Sequence, residues 1–99
     1  MAISTSIKEK SKVKIKEPKR YKVVMYNDDF TPMEFVVFIL MNIFKKSENE
    51  AVKIMMTVHK GGCAVVGTYS YDIDKTKAET AIRTAREEGY PFRVNVEDA

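Results

Sequence analysis

Apolar and polar positions along this chain follow strand-like and helix-like periods in turn, and the first two elements are the clearest. Residues Tyr21 to Tyr26 are mostly aromatic or β-branched, which predicts a strand. Between residues 35 and 44 only Asn42 is polar, and this run predicts a helix from about Pro32 to Lys46. Because that helix is too apolar to keep one face solvated, we expect it to be buried on most sides or to leave an apolar strip for a partner.

The second helix has a start signal and a stop signal. Ser47 and Glu50 form a Ser-x-x-Glu capping box, and the pair Gly61-Gly62 ends the helix. The residues from Cys63 to Tyr69 are β-branched enough for a second strand. We expect Cys63 itself to be a small buried residue on that strand rather than a nucleophile.

A third helix and a last strand complete the pattern. Ser70 or Asp72 caps the helix, a narrow stripe of alanines and Ile82 forms its apolar face, and Gly89 stops it. Residues 91–97 alternate between apolar and polar, as in a strand with one buried face. The order β-α-α-β-α-β predicts an α+β fold, in which three helices cover a three-stranded antiparallel sheet.

The charge distribution divides the chain at residue 20. The net charge of +3 and the pI of about 9.0 are typical of a nucleic-acid binder. However, residues 1–20 hold seven basic and two acidic side chains, about +5, which leaves about −2 for residues 21–99. We therefore expect a flexible basic arm over 1–20 and one folded domain over 21–99 that presents no surface for nucleic acid.

Composition narrows the functional class further. A chain of 99 residues, 44% of them hydrophobic, fits one domain with a modest core. No apolar run reaches the ~18 residues of a membrane span, and the lysine-rich start lacks the apolar segment of a secretory signal. The single cysteine permits no internal disulfide, so the expected location is the reducing cytoplasm.

A group of oxygen acceptors precedes the first helix. Asn27, Asp28 and Asp29 come directly before Phe30, after which Thr31 and Glu34 can form a second capping box with Pro32 at the first helical position. A loop stabilised by Asx turns is the ordinary interpretation of such a group. If Thr31 caps the helix, however, the acceptors stay free to bind a ligand that is cationic at one point and apolar next to it.

The second helix offers a matching surface. Residues at helical spacing share one face that is apolar up to its last turn, where the only histidine of the chain lies: Ala51, Ile54, Met55, Val58 and His59. Taken alone, His59 would be a structural histidine. One histidine and one distant cysteine do not make a zinc site, and no catalytic triad or glycine-rich phosphate loop indicates an enzyme.

These segments, in this order and spacing, resemble the ClpS family of adaptors that hand N-degron substrates to the Clp protease. The resemblance covers the domain from Tyr21 onward. It is carried by the segments Tyr21-Lys22-Val23, residues 27–36, Met55-Met56-Thr57-Val58-His59, Gly67, Thr76-Lys77 and Ala85-Arg86-Glu87. It implies an adaptor without enzyme activity, metal or other cofactor.

The resemblance also implies a binding site for the first residue of a protein. In it, Asn27, Asp28 and His59 contact the α-amino group and first peptide. The first side chain (Leu, Phe, Tyr or Trp) enters a pocket lined by Asp29, Thr31, Pro32, Met33, Val36, Met55, Val58 and Phe92. Met33 matches the gatekeeping position that disfavours Ile and Val, whereas Phe92 is larger than the leucine expected there.

Partners follow from the same resemblance. A ClpA-type unfoldase, working with the ClpP protease, would dock through its N-terminal domain near Asp72 and Lys77, which could otherwise be a solvated helix face. The alternative is a small ribosome- or RNA-associated α+β protein. The basic arm permits it, but the slightly acidic domain and the lack of interleaved basic and aromatic residues argue against it.

Overall fold

The structure, a computed structural model, describes residues 19–99. The elements are β1 (Tyr21–Tyr26), α1 (Met33–Asn42), α2 (Glu48–Gly61), β2 (Cys63–Tyr69), α3 (Tyr71–Glu87) and β3 (Arg93–Asp98). They confirm the predicted order and the α+β class. The predicted arm covers residues 1–20, and residues 1–18 of it lie outside the part of the chain that the structure describes. Within the described part, no helix has the length and apolar character needed to span a bilayer.

The three strands form one sheet in the order β2-β1-β3, with both pairings antiparallel as predicted. At the end of the central strand, Tyr26 pairs with Cys63 on one side and with Arg93 on the other. The backbone N–H of Asn27 then donates to the carbonyl of Gly62 at 2.8 Å. This bond places the loop that follows β1 directly beside the carboxyl end of α2.

One face of the sheet carries the core. Val23 and Met25 point into it from β1 and are completely buried. Helix α3 covers this face with its three buried alanines, whose small side chains let the helix approach closely. The remaining core side chains are Val36, Ile39, Leu40, Phe44, Ala51, Met55, Val58, Val66, Phe92 and Val94. The core therefore includes side chains from all three helices and all three strands.

The predicted start and end of the first helix are wrong in detail. Pro32 is the N-cap of α1 and makes no side-chain capping bond, because its ring has no acceptor atom. The hydroxyl of Thr31 donates to Asp28 at 2.7 Å. The helix stops at Asn42 rather than near Lys46. The chain turns there, since Lys45 takes a left-handed conformation with φ of 57°. The expected Thr-x-x-Glu capping box is thus replaced by an interaction that starts three residues upstream.

The signals for the other two helices are confirmed. The side chain of Ser47 accepts from the backbone N–H of Glu50 at 3.2 Å, and Gly62 follows α2 in a left-handed conformation with φ of 93°. Ser70, one of the two candidates, occupies the N-cap position of α3, although its side chain makes no capping hydrogen bond. Gly89, with φ of 83°, follows its end. Local sequence therefore determines these helix ends.

The expectation that Cys63 is buried is wrong. It lies on β2 as predicted, but its side chain is exposed. Strand alternation explains this, because Ala64 pairs with the core residue Met25, and its neighbours Cys63 and Val65 point to the other side of the sheet. Cys63 shares the outward side with Val65.

Candidate functional site

A cavity of about 310 Å³ opens where the loop after β1, the first turn of α1 and the carboxyl end of α2 meet. Its apolar floor comes from one residue of α1 and two of α2, all buried in the core, and its rim carries amide and carboxylate oxygens. The lining residues are Asn27, Asp28, Asp29, Thr31, Pro32, Met33, Val36, Met55, Val58 and His59. All ten belong to the set predicted for a ligand site.

Asp28 organises the rim through its own loop. One carboxylate oxygen accepts from the backbone N–H groups of Phe30 and Thr31, both at 2.8 Å. The other accepts from the hydroxyl of Thr31. A carboxylate has about four acceptor positions, so these three bonds leave about one for a ligand. The same residues can therefore form an Asx turn and also bind a ligand.

The same contacts keep Asp28 charged. Desolvation by burial, the largest single effect, raises the pKa of this carboxyl. The hydrogen bonds from the Thr31 side chain and from the backbone of Phe30 and Thr31, with the positive charge of Arg86, outweigh it and leave the pKa below its usual value. The rim therefore holds a fixed negative charge at neutral pH, which suits a cationic ligand.

Helix α2 contributes the far wall. Met55 and Val58 are buried below the opening, and His59 follows them in the last turn of the helix. The cap of α2 is closed by the N–H of Gly62, which donates to the carbonyl of Val58 at 2.9 Å. Since the carbonyl of Gly62 also accepts from the backbone of Asn27, the loop after β1 is held beside the end of α2, and Asn27 and His59 both line the cavity.

Phe92 does not line this cavity, so its predicted place in the pocket is corrected. Only 1% of it is exposed, and its ring packs edge-on against Phe35 at a centroid distance of 6.4 Å. Alternation along the last strand correctly predicts that Phe92 faces the helices, but it does not show how deep the side chain lies. Phe92 belongs to the core behind α1.

Asp72 and Lys77 lie apart from the cavity, at the start of α3. With Ile73 and Thr76 they line a second, more open depression of about 370 Å³, here called the α3 groove. The ammonium of Lys77 donates to the carbonyl of Ile43 at 2.9 Å, just past the end of α1. Lys77 therefore has a structural contact as well as a place in the groove.

Arg86 does not line the cavity but acts on it from outside, and the sequence analysis assigned it no chemistry. One of its terminal nitrogens donates to the carbonyls of Tyr90 at 2.8 Å and Phe92 at 3.0 Å, and its charge acts on Asp28. Nothing in the sequence links positions 28 and 86, because only the folded sheet brings them together. Among residues 19–99, no group of three His, Cys, Asp or Glu side chains could hold a metal ion.

Comparisons with known proteins agree with this geometry. Residues 16–95 match the family described as ATP-dependent Clp protease adaptor protein ClpS. The ATP-dependent Clp protease adapter protein ClpS of Clostridium acetobutylicum is 46% identical over 98 residues, covering 97% of both chains. That of Burkholderia mallei is 45% identical over 95 residues, covering 96% of this chain and 91% of the relative.

A solved structure is similar as well. It is described as Agrobacterium tumefaciens ClpS2 bound to L-phenylalaninamide, and it is 42% identical to this chain. The superposition has a TM-score of 0.81 and covers 84% of this chain and 100% of the other. The match therefore extends over the whole of that chain.

Proposed function

The chain belongs to the ClpS family of Clp protease adaptors, which are not enzymes, and we propose that it captures proteins by a destabilising first residue. Leu, Phe, Tyr or Trp would enter the cavity, and the free α-amino group would bind Asn27, Asp28 and His59. The captured protein would pass to a ClpA-type unfoldase and the ClpP protease. This activity belongs in the cytoplasm, where the exposed thiol of Cys63 stays reduced.

The observation that carries this proposal is the pairing of a fixed carboxylate with an apolar cavity. The free acceptor position of Asp28 suits the N–H donors of an ammonium group. Next to it, Val36, Met55 and Val58 form a floor that suits an apolar side chain. The related structure from Agrobacterium tumefaciens binds L-phenylalaninamide, which has both features.

The expected affinity is moderate. Burying a Leu or Phe side chain contributes about 1.5–3 kcal/mol, and each hydrogen bond to a charged group contributes about 1.5–3 kcal/mol. Association itself costs several kcal/mol in lost freedom of motion. These magnitudes allow a dissociation constant on the order of 1 μM without a large interface.

The first test varies only the first residue of a peptide. Peptides that begin with Leu, Phe, Tyr or Trp should bind at least about tenfold more tightly than those that begin with Ile or Val, a difference of about 1.4 kcal/mol. The reason is that Met33, which lines the cavity, should crowd a branched β-carbon. Met33→Ala should reduce this preference, as measured by calorimetry. Equal affinity of the native protein for Leu and Ile peptides would contradict the gatekeeping role.

Docking of the unfoldase is proposed at the α3 groove. Reversing the charge in Asp72→Lys should weaken binding of the isolated N-terminal domain of a ClpA-type unfoldase about tenfold and leave peptide affinity unchanged, because the groove and the cavity share no residue. Glu79→Lys, exposed two turns further along α3, is the matched control. Equal loss in both variants, measured by fluorescence anisotropy, would show a general charge effect rather than docking at the groove.

A further inference from the structure

Helix α1 leaves part of its apolar surface uncovered, as one of the two sequence-based alternatives predicted. Met33, Val37 and Met41 follow one another at positions i, i+4 and i+8, with Phe38 beside them. The exposed fractions are 41% for Met33, 37% for Met41 and 49% for Phe38, and Val37 is half-buried. We call these four residues the α1 row. An apolar patch on a small protein commonly marks a binding surface.

The α1 row begins inside the cavity described above. Met33 lines the cavity and is also the first member of the row. A chain whose first side chain fills the cavity can therefore continue along the row from Met33. From Met33 to Met41 the helix rises about 12 Å at ~1.5 Å per residue. An extended chain covers this distance with three or four residues, at ~3.3–3.6 Å each.

We propose that the α1 row binds the residues that directly follow the first residue of a substrate, at about positions 2 to 5, when these are apolar. The inference rests on the proposed function, because it assumes that the first residue occupies the cavity. Charge restricts the occupant further. Asp29 lies at the mouth of the cavity and exposed Glu34 lies beside the row, so an acidic residue at these positions is disfavoured.

The continuity through Met33 favours a substrate over a second copy of the chain. A second copy would cover the row and the cavity mouth together, since both share this residue, and would compete with substrate. An extended chain that enters the cavity uses both surfaces at once. It also adds apolar contact without a new folded interface, and this suits a protein that receives many different substrates.

The test compares three ligands with the same first residue and a free amine. They are L-phenylalaninamide, a ten-residue peptide that begins Phe-Leu-Val-Leu-Val, and one that begins Phe-Ser-Gly-Ser-Gly, with identical remaining residues. We expect the apolar peptide to bind about five- to tenfold more tightly than the Ser-Gly peptide. In the double variant Phe38→Ser, Met41→Ser this difference should disappear, whereas L-phenylalaninamide should bind as before. Neither substituted residue lines the cavity.

Two further variants control for folding and for general loss of apolar surface. Met41→Ser alone should remove part of the difference, and it leaves the stacking of Phe38 on Phe35 intact. Val65→Ser removes a side chain that is 50% exposed on β2 and should change no affinity. Thermal unfolding checks that each variant is folded.

Three results would overturn the inference. Equal affinity of the native protein for the two peptides would show that the row does not contact substrate. A native dimer in sedimentation velocity that becomes monomeric in the double variant, with the peptide preference unchanged, would make the row a self-association surface. Failure of L-phenylalaninamide to bind the native protein would refute the proposed function itself. In that case a preference for the apolar peptide would no longer depend on the cavity.

Discussion

Acetylating the first residue of a Phe peptide is expected to weaken its binding about a hundredfold or more. Acetylation removes the positive charge and two N–H donors, and it leaves the remaining acceptor position of Asp28 without the ammonium group that would fill it. A hydrogen bond to a charged group contributes about 1.5–3 kcal/mol, and a loss of about 3 kcal/mol corresponds to a hundredfold. Calorimetry with the free and acetylated forms of one peptide measures the effect.

Asp28→Asn tests the other side of this contact. The amide oxygen of Asn can still accept from the backbone N–H groups of Phe30 and Thr31, which Asp28 binds now, so the loop should keep its conformation while its charge is lost. We expect at least a tenfold loss of affinity for the free peptide. Glu34→Gln removes an exposed charge nearby and should change the affinity less than twofold. Unchanged affinity after acetylation would exclude recognition of the α-amine.

The fold was predictable where the signals are local. The capping box at Ser47, the left-handed glycine after α2 and the alternation of the last strand each act within a few residues, and the structure shows all three. The start of α1 was not predicted correctly, because the N-cap is Pro32 rather than Thr31, and the side chain of Thr31 binds Asp28. The exposure of Cys63 depends on which face of the sheet the helices cover, and local pattern does not contain that information.

The residues that line the cavity were predicted mainly through the family resemblance rather than from local pattern. Two segments, residues 27–36 and 55–59, contain all ten lining residues, and the resemblance to a family identified both. Composition and spacing alone gave an acceptor group and a matching helix face, but not the contact that brings the two together. That contact is the hydrogen bond from the backbone N–H of Asn27 to the carbonyl of Gly62. The binding roles of these ten residues stay predictions.

The other large effect is expected from Asp74, in the first turn of α3. This side chain is 0% exposed, and within the described residues neither of its carboxylate oxygens has a hydrogen-bond partner. Desolvation by burial raises its pKa above the usual aspartate value. The backbone amide of Tyr69 and the charges of Arg20 and Lys77 act in the opposite direction but do not cancel this effect. At neutral pH, therefore, the folded protein holds a poorly compensated buried charge.

We therefore expect Asp74→Asn, which keeps the shape and removes the charge, to stabilise the protein at pH 7 by about 1–3 kcal/mol. For a domain of this size each kcal/mol raises Tm by about 4–8 °C. A raised pKa means that the carboxyl of Asp74 binds a proton more readily in the folded protein than in the unfolded chain. The ionised carboxylate therefore lowers the free energy of unfolding by its full amount above the folded-state pKa. This loss decreases as the pH falls toward ~3.9, the usual pKa of aspartate.

The measurement is urea unfolding of both proteins between pH 7 and pH 4. The advantage of Asp74→Asn should shrink steadily as the pH is lowered, because protonation removes the charge from the native protein too. Asp72→Asn, an exposed aspartate in the same helical turn, should change the free energy of unfolding by less than about 0.5 kcal/mol. If Asp74→Asn instead lowers stability at pH 7, the attraction of Arg20 and Lys77 outweighs the desolvation of the carboxylate. Asp74 would then be a favourable ion-pair partner that holds the start of α3 in place.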